Sequence, residues 1–224
     1  MKKRCAKEAL KYIKDNMTIG LGGGSTIGYL ISYIKEYGLN VKVVTPSFKT
    51  ANLCIENGLQ VLPTWSVNNI DVAFDGCDEV DEELNALKSG GGIHTKEKII
   101  ASMSTEYILL VDESKFVKKL EFDYPVVLEI IPESKGYVES RIRELGGDPR
   151  MRSSEAKDGI TITDSGLFLI DAFFDKDKIS TIEKLNQELN SIVGVVDTSL
   201  FYKIATKAIV VSNKEIKVIE RGVN

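Results

Sequence analysis

The sequence predicts an α/β protein: a Rossmann-like main domain built on a parallel sheet, with a smaller ferredoxin-like α+β domain attached. Three observations predict it. Short apolar runs alternate with helical patterns through the first half of the chain, which is the grammar of strands joined by crossover helices. Two of those runs end in clustered glycines or acids, as strands do when their carboxyl ends carry ligand loops. After Asp112 the order becomes strand, helix, hairpin, helix, strand, a split βαβ unit. The expected division is residues 1–125 plus 203–224 for the main domain and 126–202 for the smaller one.

Taken in order, MKKRCAKEALKYIKDN reads as an amphipathic helix with Cys5, Ala6, Ala9, Leu10 and Ile13 on one face. TIGLG, VKVVT, LQVLP, DVAFD and YILLVD are the expected strands, with helices over 26–36, 48–56 and 95–104 between them. VVLEIIP, the helix YVESRIRELGG and the strand region GITITDSGLFLIDAFF follow, the last folded into a hairpin at Asp164-Ser165-Gly166. The helix ISTIEKLNQELNSI and the strand VVDTSLF complete the smaller unit. KAIVVSNKEIKVIE is expected to form a hairpin around Ser212-Asn213 and to return to the main domain. Tyr29 and Trp65 are expected to serve in packing.

Composition excludes several functions. The 224 residues are 43% hydrophobic and 28% charged, enough to bury a core and too apolar for disorder. A formal net charge of −4 offers no general attraction to nucleic acid or to an anionic membrane. No apolar run approaches a membrane span, and no apolar signal-peptide core follows the basic N-terminus. Three cysteines without a CxxC spacing suit a reducing compartment better than a disulfide scaffold or a thiolate zinc site. A cytoplasmic location is the corresponding expectation.

Three constellations carry chemistry. In IGLGGGSTIG a strand runs into Gly20, Gly22, Gly23 and Gly24, then into Ser25 and Thr26 where a helix starts. Backbone N–H groups at such a turn and the positive helix end suit a phosphate. Ser25 stands where a dinucleotide fingerprint needs its third glycine, the next strand ends at Thr45 rather than an acid, and no lysine precedes the Ser-Thr pair as in a P-loop. A monophosphate or sugar hydroxyls remain, beside the plain alternative of a structural turn. In DVAFDGCDEVDEE, Asp75 and Asp78 flank Gly76-Cys77 at a strand's carboxyl end. Paired carboxylates separate their proton affinities and suit proton exchange with sugar oxygens, although the same oxygens could hold Mg²⁺ or Ca²⁺. Glu82 and Glu83 read as solvated. In LKSGGGIHTKEKII, Lys88 precedes three glycines and Glu97 falls in a helix's first turn. Acids are common there for dipole reasons alone. Beside a lysine and free backbone N–H groups, however, Glu97 completes what deprotonation next to a carbonyl requires. His94, the only histidine, is expected near the site but outside the mechanism.

Together these segments resemble ribose-5-phosphate isomerase of type A. That family shows a GTGST loop, a DGADE segment, a KGGGG segment leading to REK, and a later SK pair. Here they stand as Gly22-Gly23-Gly24-Ser25-Thr26, Asp75-Gly76-Cys77-Asp78-Glu79, Lys88-Ser89-Gly90-Gly91-Gly92 with Lys96-Glu97-Lys98, and Ser114-Lys115. The likeness continues through LGGDPRMR and IVGVVDTSLF. It implies interconversion of D-ribose 5-phosphate and D-ribulose 5-phosphate in the non-oxidative pentose phosphate pathway, without cofactor or metal, by a homodimer or homotetramer. Glu97 would be the proton acceptor, with Asp75, Asp78 and Lys88 also catalytic around the sugar. Gly23, Gly24, Ser25, Thr26, Gly76, Cys77, Ser89, Gly90, Gly91 and Lys115 would contact substrate, and Lys2 the phosphate. Gly23, Cys77 and Ser89 replace the family's usual Thr, Ala and Gly. Two other classes compete: a non-catalytic sugar-phosphate sensor, which would bind without converting, and an acyl or coenzyme-A transferase on a related scaffold.

Overall fold

The computed structural model describes residues 1–154 and 157–222. Helix α1 (Lys2–Ala9) buries Cys5, Ala6 and Ala9. Then come β1 (Thr18–Leu21), α2 (Ser25–Glu36), β2 (Lys42–Val44), α3 (Phe48–Glu56), β3 (Gln60–Val61) and β4 (Ile70–Asp75). Two short strands, β5 (Glu79–Val80) and β6 (Ala86–Leu87), precede α4 (His94–Met103) and the long β7 (Ser104–Asp112). The next stretch holds β8 (Val126–Ile130), α5 (Lys135–Glu144), β9 (Asp148–Met151), β10 (Ser153–Ser154), β11 (Lys157–Ile160) and β12 (Phe168–Phe173). Last are α6 (Ile182–Asn190), β13 (Val195–Thr198), β14 (Leu200–Phe201), β15 (Lys207–Val211) and β16 (Ile216–Glu220).

Seven strands form the central sheet in the order β16-β15-β7-β4-β1-β2-β3. All pairs are parallel except the terminal hairpin β15–β16. The fold is therefore mixed α/β on a mostly parallel sheet. Its inner strands are apolar on both faces because helices cover both: Ile19 and Leu21 of β1 are fully buried, as are Ile108 and Leu109 of β7. From β1 the chain winds outward through β2 and β3, then crosses back to β4 on the other side of β1. The carboxyl ends of β1 and β4 thus form a topological switch point, where two loops part and leave a crevice. The tail hairpin joins the main sheet through β15, which pairs with β7 from Lys207↔Ile108 to Val211↔Asp112.

A second, antiparallel sheet runs β13-β8-β12-β9, the order of a split βαβ unit, with α5 and α6 supplying Val138, Ile142, Leu185 and Leu189 to its core. One expected strand is displaced. Residues 159–163 were expected to pair within the hairpin at Asp164-Ser165-Gly166; the turn forms, with Gly166 N–H donating to Thr163 O at 2.9 Å. Among the described residues its arms are joined next to the turn by Thr163 N–H donating to Leu167 O at 2.9 Å and by the single bridge Ile162↔Phe168, and β12 pairs with β9 instead. Pro149 makes β9 unpromising as a strand, but β9 lies at the sheet edge, where a missing N–H is tolerated. A three-stranded ribbon, β14-β6-β5, connects the two sheets. Trp65 is 88% exposed on a short 3₁₀ turn beyond edge strand β3, and Tyr29 is 37% exposed, so neither is a core residue. Among the described residues, no helix is long and apolar enough to cross a membrane.

Candidate active site

The site is built where the chain leaves β1 and β4. Gly22 N–H donates to Phe74 O at 2.9 Å, holding the two strand ends together. A Cβ on Gly22 would sit 1.9 Å from Asp75 Oδ1, so any larger residue would displace that carboxylate. Gly24 takes a φ of +96° and turns the chain into α2, whose first residues are Ser25 and Thr26. Their N–H groups belong to the unpaired first turn of a 12-residue helix. Thr50 of α3 donates its hydroxyl to Gly22 O at 2.8 Å and Ser47 caps the same helix, which fixes the loop after β2 against the glycine turn.

Asp75, Lys88 and Glu97 form a buried ionic triad. Lys88 Nζ lies 3.0 Å from Asp75 Oδ2 and 3.4 Å from Glu97 Oε1, and it donates to Gly76 O at 2.5 Å. Lys88 is 6% exposed and Glu97 8%. Burial pushes the Glu97 carboxyl up to about 8, the Asp75 charge adds to that rise, and Lys88 opposes it. Burial works against the Lys88 ammonium, but the Asp75 and Glu97 charges outweigh it and hold its proton more tightly than usual. Tyr107 on β7 points its hydroxyl at Asp75 Oδ2, 3.5 Å away.

Asp78 plays a different part: its Oδ2 accepts the N–H groups of Ser89 at 2.7 Å and Gly90 at 2.9 Å, tying down the glycine loop that leads to α4. Ser89 turns its hydroxyl to Pro125 O, 2.5 Å away, and does not line the cleft. Lys115 Nζ donates to Cys77 O at 2.7 Å. The Cys77 thiol is pushed up to about 12 by burial, so it is no nucleophile. His94 is fully buried beneath the site; burial first, then the Lys98 charge, lowers it to about 3 and keeps it neutral. Among the described residues no three His, Cys, Asp or Glu side chains are arranged to hold a metal ion.

A cleft of about 530 Å³ gathers Gly23, Gly24, Asp75, Gly76, Cys77, Asp78, Lys88, Gly90, Gly91, Glu97 and Lys115. An adjoining recess of about 190 Å³ is lined by Lys2, Ser25 and Thr26 and shares Gly23, Gly24, Gly76 and Lys115 with the cleft. All the expected contact residues except Ser89 therefore line these two connected spaces. Ser47, Phe48, Lys49, Ile93 and Asp164 also line the cleft and had no sequence signal beyond the Ser47 cap pattern. A larger cleft of about 570 Å³, between residues 81–85, 118–122 and 176–183, holds none of the expected site residues.

The family model described as ribose 5-phosphate isomerase A (phosphoriboisomerase A) matches residues 42–215, most of the chain. The chain belongs to the ribose 5-phosphate isomerase A family. That makes it an isomerase, and its fold agrees. A ribose-5-phosphate isomerase A of Pyrococcus abyssi is 42% identical over 226 residues, 99% of this chain and 98% of that protein. The one from Methanocaldococcus jannaschii is 39% identical over 226 residues with the same coverage. The solved structure of the Methanocaldococcus jannaschii isomerase superposes with a TM-score of 0.90 over 98% of this chain and 97% of that one. A D-ribose-5-phosphate isomerase solved in complex with phospho-erythronic acid superposes with a TM-score of 0.92 at 39% identity, over 98% of this chain and 97% of that one. A second family model, the DeoR C terminal sensor domain, matches residues 1–64, the part of the isomerase that holds the glycine turn.

Proposed function

We propose that the protein interconverts D-ribose 5-phosphate and D-ribulose 5-phosphate through an ene-diolate, with Glu97 as general base. The observation that carries this reading is the Glu97 carboxylate, buried 3.4 Å from the Lys88 ammonium in a cleft that opens onto the Ser25-Thr26 helix start. The phosphate occupies the recess, held by the N-terminal N–H groups of α2, by Ser25 and Thr26, and by Lys2 and Lys115. Anchoring there orients the sugar without touching the reacting carbons. Asp75 assists opening of the furanose ring. Glu97 removes the proton on C2 of the open aldose and returns it to C1; the carbonyl oxygen O1 becomes an oxyanion that Lys88 stabilises, then takes up the proton that the C2 hydroxyl gives up, which leaves the C2 carbonyl of the ketose. A carboxyl raised by burial is a stronger base than an exposed one, which suits a weakly acidic carbon. Asp78 keeps the glycine loop facing the sugar.

The relative bound to phospho-erythronic acid supports a phosphorylated ligand. The proposed division into residues 1–125 plus 203–224 and 126–202 is supported by the strand sources of the two large sheets. Self-association as a dimer or tetramer and a cytoplasmic setting are proposed on family resemblance. The test is direct: ribulose 5-phosphate formation from ribose 5-phosphate, compared between the wild type and Glu97→Gln. The variant is expected to lose about two or more orders of magnitude in kcat while still binding a phosphorylated sugar acid. Near-normal turnover in Glu97→Gln would refute the assignment.

A further inference from the structure

Behind the triad lies a second ion pair that the mechanism does not use. Lys98, the residue after the base, points away from the cleft and donates to Asp197 Oδ1 at 2.6 Å and to Thr198 O at 2.5 Å. Both side chains are largely shielded, with 14% and 16% of their surface exposed. Asp197 and Thr198 belong to β13 of the antiparallel sheet, so this pair links the helix carrying the base to the neighbouring sheet. The Lys98 ammonium also sits 5.0 Å from the centre of the Phe201 ring, and the Lys88 ammonium sits 5.6 Å from the same ring. Phe201 is fully buried and stacks on Tyr107, whose hydroxyl faces Asp75. One buried aromatic ring is thus within reach of both the catalytic lysine and the second pair.

We propose that Lys98 and Asp197 are positioning residues for the isomerase reaction, a neutral counter-pair that orients α4 and sets the electrostatic balance around the base. The inference rests on the reading of Glu97 as base. The charged and titratable groups around Glu97 are Asp75, Cys77 and Asp78 after β4, Lys88 after β6, Tyr107 on β7, His94 and Lys98 on α4, Lys115 after β7, Arg152 against the glycine loop, Asp164 across the cleft, and Asp197 on β13; all but Lys98 and Asp197 are unchanged in the variants below. His94 is neutral and Tyr107 keeps its proton, so neither alters the balance. Removing one member of the Lys98–Asp197 pair leaves the other uncompensated in a poorly screened place. By way of the Phe201 ring centre the two ammonium groups are no more than about 11 Å apart, and an uncompensated charge about 12 Å from a carboxyl, in an effective dielectric of about 20, shifts it by about one pH unit.

The sign depends on which member is lost. Lys98→Met leaves an extra negative charge, which disfavours the Glu97 carboxylate and moves the acid limb of kcat/KM to higher pH. Asp197→Asn leaves an extra positive charge and moves the limb to lower pH. The double variant removes both charges and returns the limb toward its wild-type position, and Lys98→Arg keeps it in place. Loss of packing alone cannot shift the two single variants in opposite directions.

The experiment is the pH profile of kcat/KM for the wild type, Lys98→Met, Lys98→Arg, Asp197→Asn, the double variant and Glu97→Gln, each checked for fold by circular dichroism. The expected result is opposite limb shifts of about one pH unit with recovery in the double variant, and a kcat loss of about 10-fold in each single variant with KM nearly unchanged. Limbs that stay fixed, or that move in the same direction, would overturn the proposal. If a single variant fails to fold, the double variant decides: a limb displaced from wild type overturns the proposal. Normal turnover in Glu97→Gln would instead overturn the reading of the base, whatever the Lys98 and Asp197 profiles show.

Discussion

Replacing Lys88 with methionine tests the triad most sharply, because the ammonium touches both of its carboxylates. It lies 3.0 Å from Asp75 Oδ2, 3.4 Å from Glu97 Oε1 and 2.5 Å from Gly76 O, with 5% of its side chain exposed. At such distances, with an effective dielectric of about 20, each ion pair is worth about 5 kcal/mol before desolvation. Removing one partner of a buried pair costs about 3–5 kcal/mol net, since the remaining charges stay buried. Part of that cost is titratable. Glu97 already sits at about 8, and without Lys88 it rises further. A carboxyl raised in the folded state stabilises the fold fully below its unfolded range and loses that contribution as pH rises through the folded value. Lys88→Met is therefore expected to lose about 3–5 kcal/mol at pH 9 but only about half as much at pH 5.5, where Glu97 carries its proton. Urea denaturation followed by circular dichroism at the two pH values measures this directly. On the proposed mechanism, in which Lys88 stabilises the oxyanion, kcat is expected to fall by about 10²–10³. A stability loss equal at both pH values, or below about 1 kcal/mol at pH 9, would refute the buried-triad reasoning.

Three further outcomes follow from the same geometry. With Glu97 at about 8, kcat/KM is expected to fall as pH drops below that value, and urea stability to decline as pH rises from 5 to 9; in Glu97→Gln the stability decline should flatten. Gly22→Ala forces a methyl group to within 1.9 Å of Asp75 Oδ1 and is expected to cost about 1–3 kcal/mol and most activity. At Gly23, by contrast, an added Cβ meets only Ser47, at 3.9 Å, so Gly23→Thr should fold normally, with a KM for ribose 5-phosphate that is unchanged or lower; thermal melts and steady-state kinetics on both variants distinguish the two sites.

What could be read from the chain in advance was whatever depended on local pattern. Buried strands such as Ile70–Asp75 are continuous apolar runs, and the glycine turn, the Asp75–Asp78 pair and the Lys88–Glu97 spacing all sit beside such runs. Illegible features depended on partners far away in sequence. Ser89 was expected to contact substrate because it stands in the segment that matches the family's glycine motif, yet its hydroxyl finds Pro125 O, 36 positions on. Phe48, Lys49 and Asp164 reach the cleft only because the folded loops converge. Pro149 hid β9, since only the finished sheet reveals that its strand is an edge. The two-residue strands β5 and β6 are too short to show a period at all.

Between β13 and β14 the chain passes through Ser199, which is fully buried. Its N–H donates to Val127 O at 2.7 Å, its hydroxyl accepts from Val127 N–H at 2.8 Å, and its carbonyl accepts the N–H of Lys88 at 3.0 Å. The backbone that presents the ammonium to its two carboxylates is thus riveted to the antiparallel sheet rather than to the parallel one. The larger sheet carries the glycines and the acids of the site, and the smaller one supplies the anchor that aims the lysine.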